Sequence, residues 1–177
     1  MSLSSQVPLE VITEESKARL IFEPMRMEIL RLLSKRNYTA KELSDNIGLS
    51  PPSVGHHLKA LVKGELISIA REEPESHGIM QKWYQSNAQA FIVDRDALSP
   101  CVRRYLMPFD IERARGIAAC VSVLKGTGIN STGRLESLTN QVCRSISKAA
   151  HGFSGHRESD PEQLIQRLYV DAIRSII

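Results

Sequence analysis

The stretch Leu49–Leu66, LSPPSVGHHLKALVKGEL, constrains this chain more than any other. Ser50 is a good helix N-cap. Pro51 suits the first helical turn, where its missing N–H leaves no bond unmade. Val54, Leu58, Leu61 and Val62 stand at i, i+4, i+7 and i+8, so a helix over Pro51–Lys63 gathers them on one apolar face. Pro52, Ser53, Gly55, His56 and Lys59 fall mostly on the other face. That face is small and polar at its start and cationic one turn later. Small side chains allow close approach to a groove, and Ser, His and Lys donate to phosphates or base edges. Gly64 closes the helix as a C-cap.

The flanking segments read as supports for this helix. Thr39-Ala40-Lys41-Glu42 has the pattern of a capping box, which opens a short helix over Ala40–Ile47, and Gly48 ends it. Two short helices around a glycine-containing turn make a helix-turn-helix. Upstream, Thr13 caps a helix over Glu14–Phe22. A second helix runs from Glu23-Pro24 to about Ser34, with Met25, Ile29, Leu32 and Leu33 at helical spacing. Downstream the period changes. Leu66–Glu72 and Met80–Gln85 read as strands around a turn at Pro74–Gly78, a β-hairpin wing. Met1–Ile12 reads as a loose, flexible arm.

Taken together, Phe22–Leu33 (FEPMRMEILRLL), Thr39–Leu43 (TAKEL), Leu49–Leu61, Gly64–Ile67 (GELI) and Gly78 with Lys82–Gln85 (KWYQ) resemble the ArsR-type winged-helix transcriptional regulators. The resemblance spans residues 13–90. Its most specific part is Ser-x-x-Ser-Val-x-His-His-Leu-Lys-x-Leu, from Ser50 to Leu61. It implies a homodimer bound to operator duplex DNA, more often a repressor, with Pro51–Lys63 in the major groove. Ser53, Gly55, His56 and Lys59 are carried over as DNA-facing, with Ser50 and Pro52 beside them. Thr39 and Lys41 stand at the front of the preceding helix, in reach of phosphate. Arg71, His77 and Lys82 reach the backbone from the wing. His57, three residues after Val54, belongs beside the apolar face. Two features depart from the family pattern. The wing carries Glu72, Glu73 and Glu75, which repel phosphate, and Gly55 offers no side chain where many relatives have a serine.

Charge and cysteine usage narrow the function classes. Residues 1–90 carry 11 Lys/Arg and 11 Asp/Glu, and residues 91–177 carry 12 and 9, so the net +3 lies in the second half. Nucleic-acid binding therefore rests on local placement of charge. Cys101, Cys120 and Cys143 form no CxxC pair and no disulfide framework. Many ArsR-type relatives hold metals through cysteines in the first helix of the helix-turn-helix, and Glu42–Ile47 has none. Cys143, His151 and His156 are the nearest cluster, at a spacing that matches no standard site. The expectation is no metal, no cofactor and no catalytic residue. Phosphate loops, HExxH and GxSxG are all missing from the sequence. No apolar run reaches membrane-spanning length and Met1–Pro8 lacks a secretory pattern, so the expected location is cytoplasmic.

The second half reads as a connector over residues 91–107, with Asp94 and Asp96 capping a short helix. Helical segments Asp110–Lys125, Thr132–Ala150 and one from Asp160-Pro161 follow, in a dimerisation or effector region over 108–177. The last helix stays apolar to its end, which suits either its own bundle or a dimer interface. The fold expected is thus mainly α with a small β-hairpin wing, a winged helix-turn-helix followed by helices. Two rival readings remain at this point: a winged-helix module that binds a protein partner, and a sensor responsive to a metal or an unknown small-molecule effector.

Overall fold

The computed structural model describes residues 6–74, 80–124, 126, 132–153 and 160–176. The chain divides into two compact units. The first comprises residues up to 10 and 16–91; the second comprises 11–15, 92–154 and 162–177.

In the first unit, α1 (Glu15–Ile21) turns its buried Ala18 inward, and α2 (Pro24–Lys35) follows after a short break. Glu23 caps α2 by accepting a hydrogen bond from the Arg26 amide at 2.9 Å. α3 (Ala40–Ile47) and α4 (Pro51–Lys63) form the helix-turn-helix. The capping box at Thr39 is present as the sequence predicts: the Glu42 amide donates to the Thr39 hydroxyl at 3.2 Å and the Thr39 amide to the Glu42 carboxylate at 2.8 Å. Gly48 takes the left-handed conformation, φ 74°, that ends α3. Ile29, Leu33, Leu43, Val54, Leu58, Leu61 and Leu66 are buried, and they supply the core of this unit.

The wing is a three-stranded antiparallel sheet in the order β2 (Tyr38–Thr39), β4 (Met80–Ser86), β3 (Ile67–Pro74). Tyr38 pairs with Tyr84 and Thr39 with Trp83; Ile67 pairs with Ser86 and Glu72 with Lys82. A register shift between Ile69 and Arg71 marks a bulge. The turn expected at Pro74–Gly78 lies outside the described residues, Pro74 apart.

Two expectations are corrected. Val7–Ile12 is not a loose arm but strand β1, which pairs with β5 (Ala88–Val93). Its VPLEVI sequence is rich in β-formers, the Val7 amide donates to the Asn87 carbonyl at 2.8 Å, and Ile12 is buried. Residues 91–107 are likewise no connector. They hold the end of β5 and the opening of α5 (Pro100–Leu124), which begins ten residues before the expected Asp110. Pro108 lies inside α5, where it leaves out one backbone donor. Buried Val102, Leu106 and Asp110, spaced four apart, carry the helix through it. The Asp96 amide donates to the Asp94 carboxylate at 3.1 Å, a local turn instead of the expected short helix.

In the second unit α5 is joined by α6 (Thr132–His151) and α7 (Pro161–Arg174). Val142 and Ile146 of α6 pack with Ala172 of α7 and with Ile176, flanked by Ile92, Ile117, Leu138, Ala149 and Tyr169. The buried stripe Leu164, Leu168, Ala172, Ile176 therefore serves this bundle, while Ile165 and Val170 on the same helix face solvent. Among the described residues no helix is long and apolar enough to cross a membrane.

Candidate nucleic-acid interface

The outer face of α4 is built by its inner face. Val54, Leu58 and Leu61 are at most 2% exposed, which fixes the rotation of the helix about its axis. Ser50 caps the helix: its hydroxyl accepts from the Ser53 amide at 3.4 Å. With that rotation set, Pro52, His56 and Lys59 are exposed, and Ser53 and Gly55 half-exposed. Among the described residues neither His56 nor Lys59 is held in an ion pair. Lys63, one turn beyond Lys59 in the closing turn of the helix, is exposed as well. A Cβ built on Gly55 meets nothing within 4 Å, so open space rather than packing surrounds this position. Val62, expected on the apolar face, is 38% exposed because it sits at that face's edge.

His57 turns toward α2, its Nδ1 3.6 Å from the Glu23 carboxylate and its side chain largely buried. The turn from α3 to α4 is held by Ser44, whose hydroxyl donates to the Leu49 carbonyl at 2.5 Å. Nothing in the spacing pattern singles out Ser44, because the bond closes only when both helices are in place.

Thr39 leaves the candidate set. It is 3% exposed, and its hydroxyl is committed to Glu42 at both ends of the capping box. The Glu42 carboxyl is pushed up by burial and pulled down by its bonds to Thr39 and Arg36, and the second effect prevails, leaving it below the usual range. Lys41, two residues on, is exposed.

The wing cations are engaged within the wing. Arg71 lies 3.1 Å from Glu73 with its guanidinium 4.2 Å above the Trp83 ring, and Lys82 lies 3.3 Å from Glu72. The cross-strand register that pairs Glu72 with Lys82 places the acid beside the base. His77 lies outside the described residues. Among the described residues, Arg71 and Lys82 of the wing are thus paired with carboxylates, whereas Lys59 and Lys63 of α4 are exposed and in no ion pair.

Of the residues raised for metal binding, His151 donates or accepts across 2.9 Å to Asp94, Cys143 is half-buried, and His156 lies outside the described residues. Among the described residues no group of three or more His, Cys, Asp or Glu is placed to hold a metal.

Comparison with known proteins bears on the same segment. Residues 23–68 match the family described as bacterial regulatory protein, arsR family. Those residues are similar to an ArsR-type helix-turn-helix. The matched range runs from the cap of α2 through α4 into β3, so the ArsR-type segment contains the whole exposed row on α4. The arsenical resistance operon repressor of Staphylococcus aureus is 35% identical over 69 residues, 39% of this chain and 61% of that protein. The transcriptional repressor SdpR of Bacillus subtilis is 37% identical over 54 residues, 30% of this chain and 60% of that protein. The chain thus spans about three fifths of the length of these relatives. Among solved structures, NolR from Sinorhizobium fredii is similar over 64% of this chain and 84% of its own, at 20% identity and a TM-score of 0.35.

Proposed function

We propose that this protein is a DNA-binding transcriptional regulator that acts as a repressor. It binds operator duplex as a homodimer, with α4 in the major groove. The observation that carries this reading is the outer face of α4. An N-terminus capped by Ser50, with prolines in its first turn, offers small groups first and then His56 and Lys59, both exposed and without a carboxylate partner among the described residues. Small side chains at a helix start and cations one or two turns later suit close approach to a groove edge lined with phosphates. The names of the relatives, both repressors, support the direction of regulation.

Ser53 and His56 are the base-edge candidates, and Lys41, Ser50 and Lys59 the phosphate candidates. Pro52 and Gly55 let the helix come close. Arg71 and Lys82 contribute less, because Glu73 and Glu72 already neutralise them. A two-fold dimer sets two recognition helices on half-sites one helical turn apart, or a multiple of it. The test is fluorescence anisotropy with a selected operator duplex. His56→Ala and Lys59→Ala are expected to weaken binding while circular dichroism and the sedimentation profile stay unchanged. Unchanged affinity in both variants contradicts the assignment and favours a module that binds a protein.

A further inference from the structure

The second unit contains a cavity of about 460 Å3 lined by Arg95, Asp96, Arg103, Arg104, Met107, Asp110, Glu136, Cys143 and Arg144, among others. Its charge inventory is lopsided. Four guanidinium groups face three carboxylates. Arg95 and Asp110 form a pair at 2.6 Å, with both side chains about nine-tenths buried. Asp96 alone serves two arginines, Arg144 at 3.3 Å and Arg103 at 3.7 Å. Among the described residues Arg104 is held by no carboxylate. The lining, with Glu136 as its third carboxylate, therefore carries one more guanidinium than carboxylates. Met107 and Pro100 add apolar surface to the same wall.

From this juxtaposition we infer that the cavity binds a small organic oxyanion, a carboxylate or a phosphate ester, through Arg104 and Arg144. Guanidinium is the side chain suited to such a ligand, because its fork of N–H donors matches two oxygens of a carboxylate or phosphate at once. The walls explain the selectivity. The Arg95–Asp110 pair is the largely buried part of the lining, and Asp96 bridges Arg103 and Arg144, for which a ligand oxygen would compete. A divalent cation is disfavoured by the arginine excess. The volume suits a small molecule rather than a bare ion. The site does not depend on the DNA-binding reading of α4, and its failure leaves that reading in place.

The experiment is isothermal titration of the full chain with two separate probes, succinate and inorganic phosphate, at low ionic strength. Binding of succinate alone, phosphate alone or both supports the site and tells carboxylate from phosphate preference. Arg104→Ala and Arg144→Ala are each expected to weaken binding at least about tenfold, the worth of one charge-assisted hydrogen bond. Arg104→Lys is expected to fall between, since an ammonium keeps the charge and loses the fork. Asp96→Asn is expected to tighten binding, because it removes the internal competitor for Arg103 and Arg144. Arg104 and Arg144 are exposed, so these variants are expected to keep the native circular dichroism. The inference is overturned if both probes bind the wild type more weakly than about 10 mM, or if folded Arg104→Ala and Arg144→Ala proteins bind them as the wild type does.

Discussion

Lys59→Ala separates a phosphate contact from a solvated lysine. Lys59 stands on the exposed side of α4, opposite the buried Leu58 and Leu61, and among the described residues no carboxylate screens it. Alanine is at least as good a helix former, so the substitution leaves α4 in place. A cation on phosphate releases counter-ions, and each contact contributes about 0.9 to the slope of log affinity against log salt. A homodimer carries two copies, so the slope should become shallower by about 1.8. Between 50 and 200 mM salt, the wild type should then lose about twelvefold more affinity than the variant. A single bound copy gives about 0.9 and about 3.5-fold instead. Anisotropy titrations of one operator at four or five salt concentrations read this directly. An unchanged slope, with α4 intact by circular dichroism, refutes the claim that Lys59 meets the backbone.

The other expectations concern the wing, the caps and acid stability. Glu72→Gln with Glu73→Gln frees Lys82 and Arg71 from their partners and should tighten DNA binding and steepen the salt slope; weaker binding contradicts the idea that these acids mask the wing. Thr39→Ala removes a buried N-cap and should lower stability by about 1–2 kcal/mol in urea unfolding, so a neutral result removes the capping box as a support of α3. Glu65 holds the left-handed conformation at φ 57°, next to Gly64, and Glu65→Gly should stabilise by about 0.5–1 kcal/mol, less the small loss of the contact between the exposed Glu65 carboxylate and Lys17. Burial pushes the Asp94 carboxyl up, but hydrogen bonds led by that of His151 hold it below the ordinary range. Its contribution to stability is therefore complete above the unfolded value of about 3.9 and lost as pH falls through the lower folded value. Asp94→Asn should thus be less stable than wild type at pH 7, with the gap closing below about pH 3.9; a gap independent of pH contradicts this.

The helix-turn-helix was legible because its signals are local. Ser50 and Thr39 announce helix starts, Gly48 an end, and the i, i+4, i+7 spacing of Val54, Leu58 and Leu61 orients α4 without any tertiary information. The C-terminal stop of α4 was half legible: Gly64 marks the place, but it sits at φ −82° and Glu65 takes the left-handed turn. A Cβ on Gly64 would collide with Leu20, a close approach from α1 that no local pattern contains. β1 was missed for a related reason. Its partner β5 lies some eighty residues away, and VPLEVI is too short to declare a strand alone. The early start of α5 is likewise a matter of packing: buried Val102, Leu106 and Asp110 carry the helix past Pro108 despite its one lost hydrogen bond. Within the candidate site, residue type placed Thr39 at phosphate, and burial removed it. Lys82 looked available until the strand register set Glu72 opposite it, and Arg71 until Glu73 of its own strand closed on it. Exposure and pairing follow from packing, and that is the part a linear pattern does not carry.

The most direct test of the central claim is selection from random duplex DNA with the purified full chain at a stated salt concentration. A palindromic motif whose half-sites are about ten base pairs apart, or a multiple, is expected, with binding to it weakened by Lys59→Ala or His56→Ala. Recovery of no motif, or of a motif bound equally well by both variants, contradicts the assignment of α4 as the DNA-reading helix.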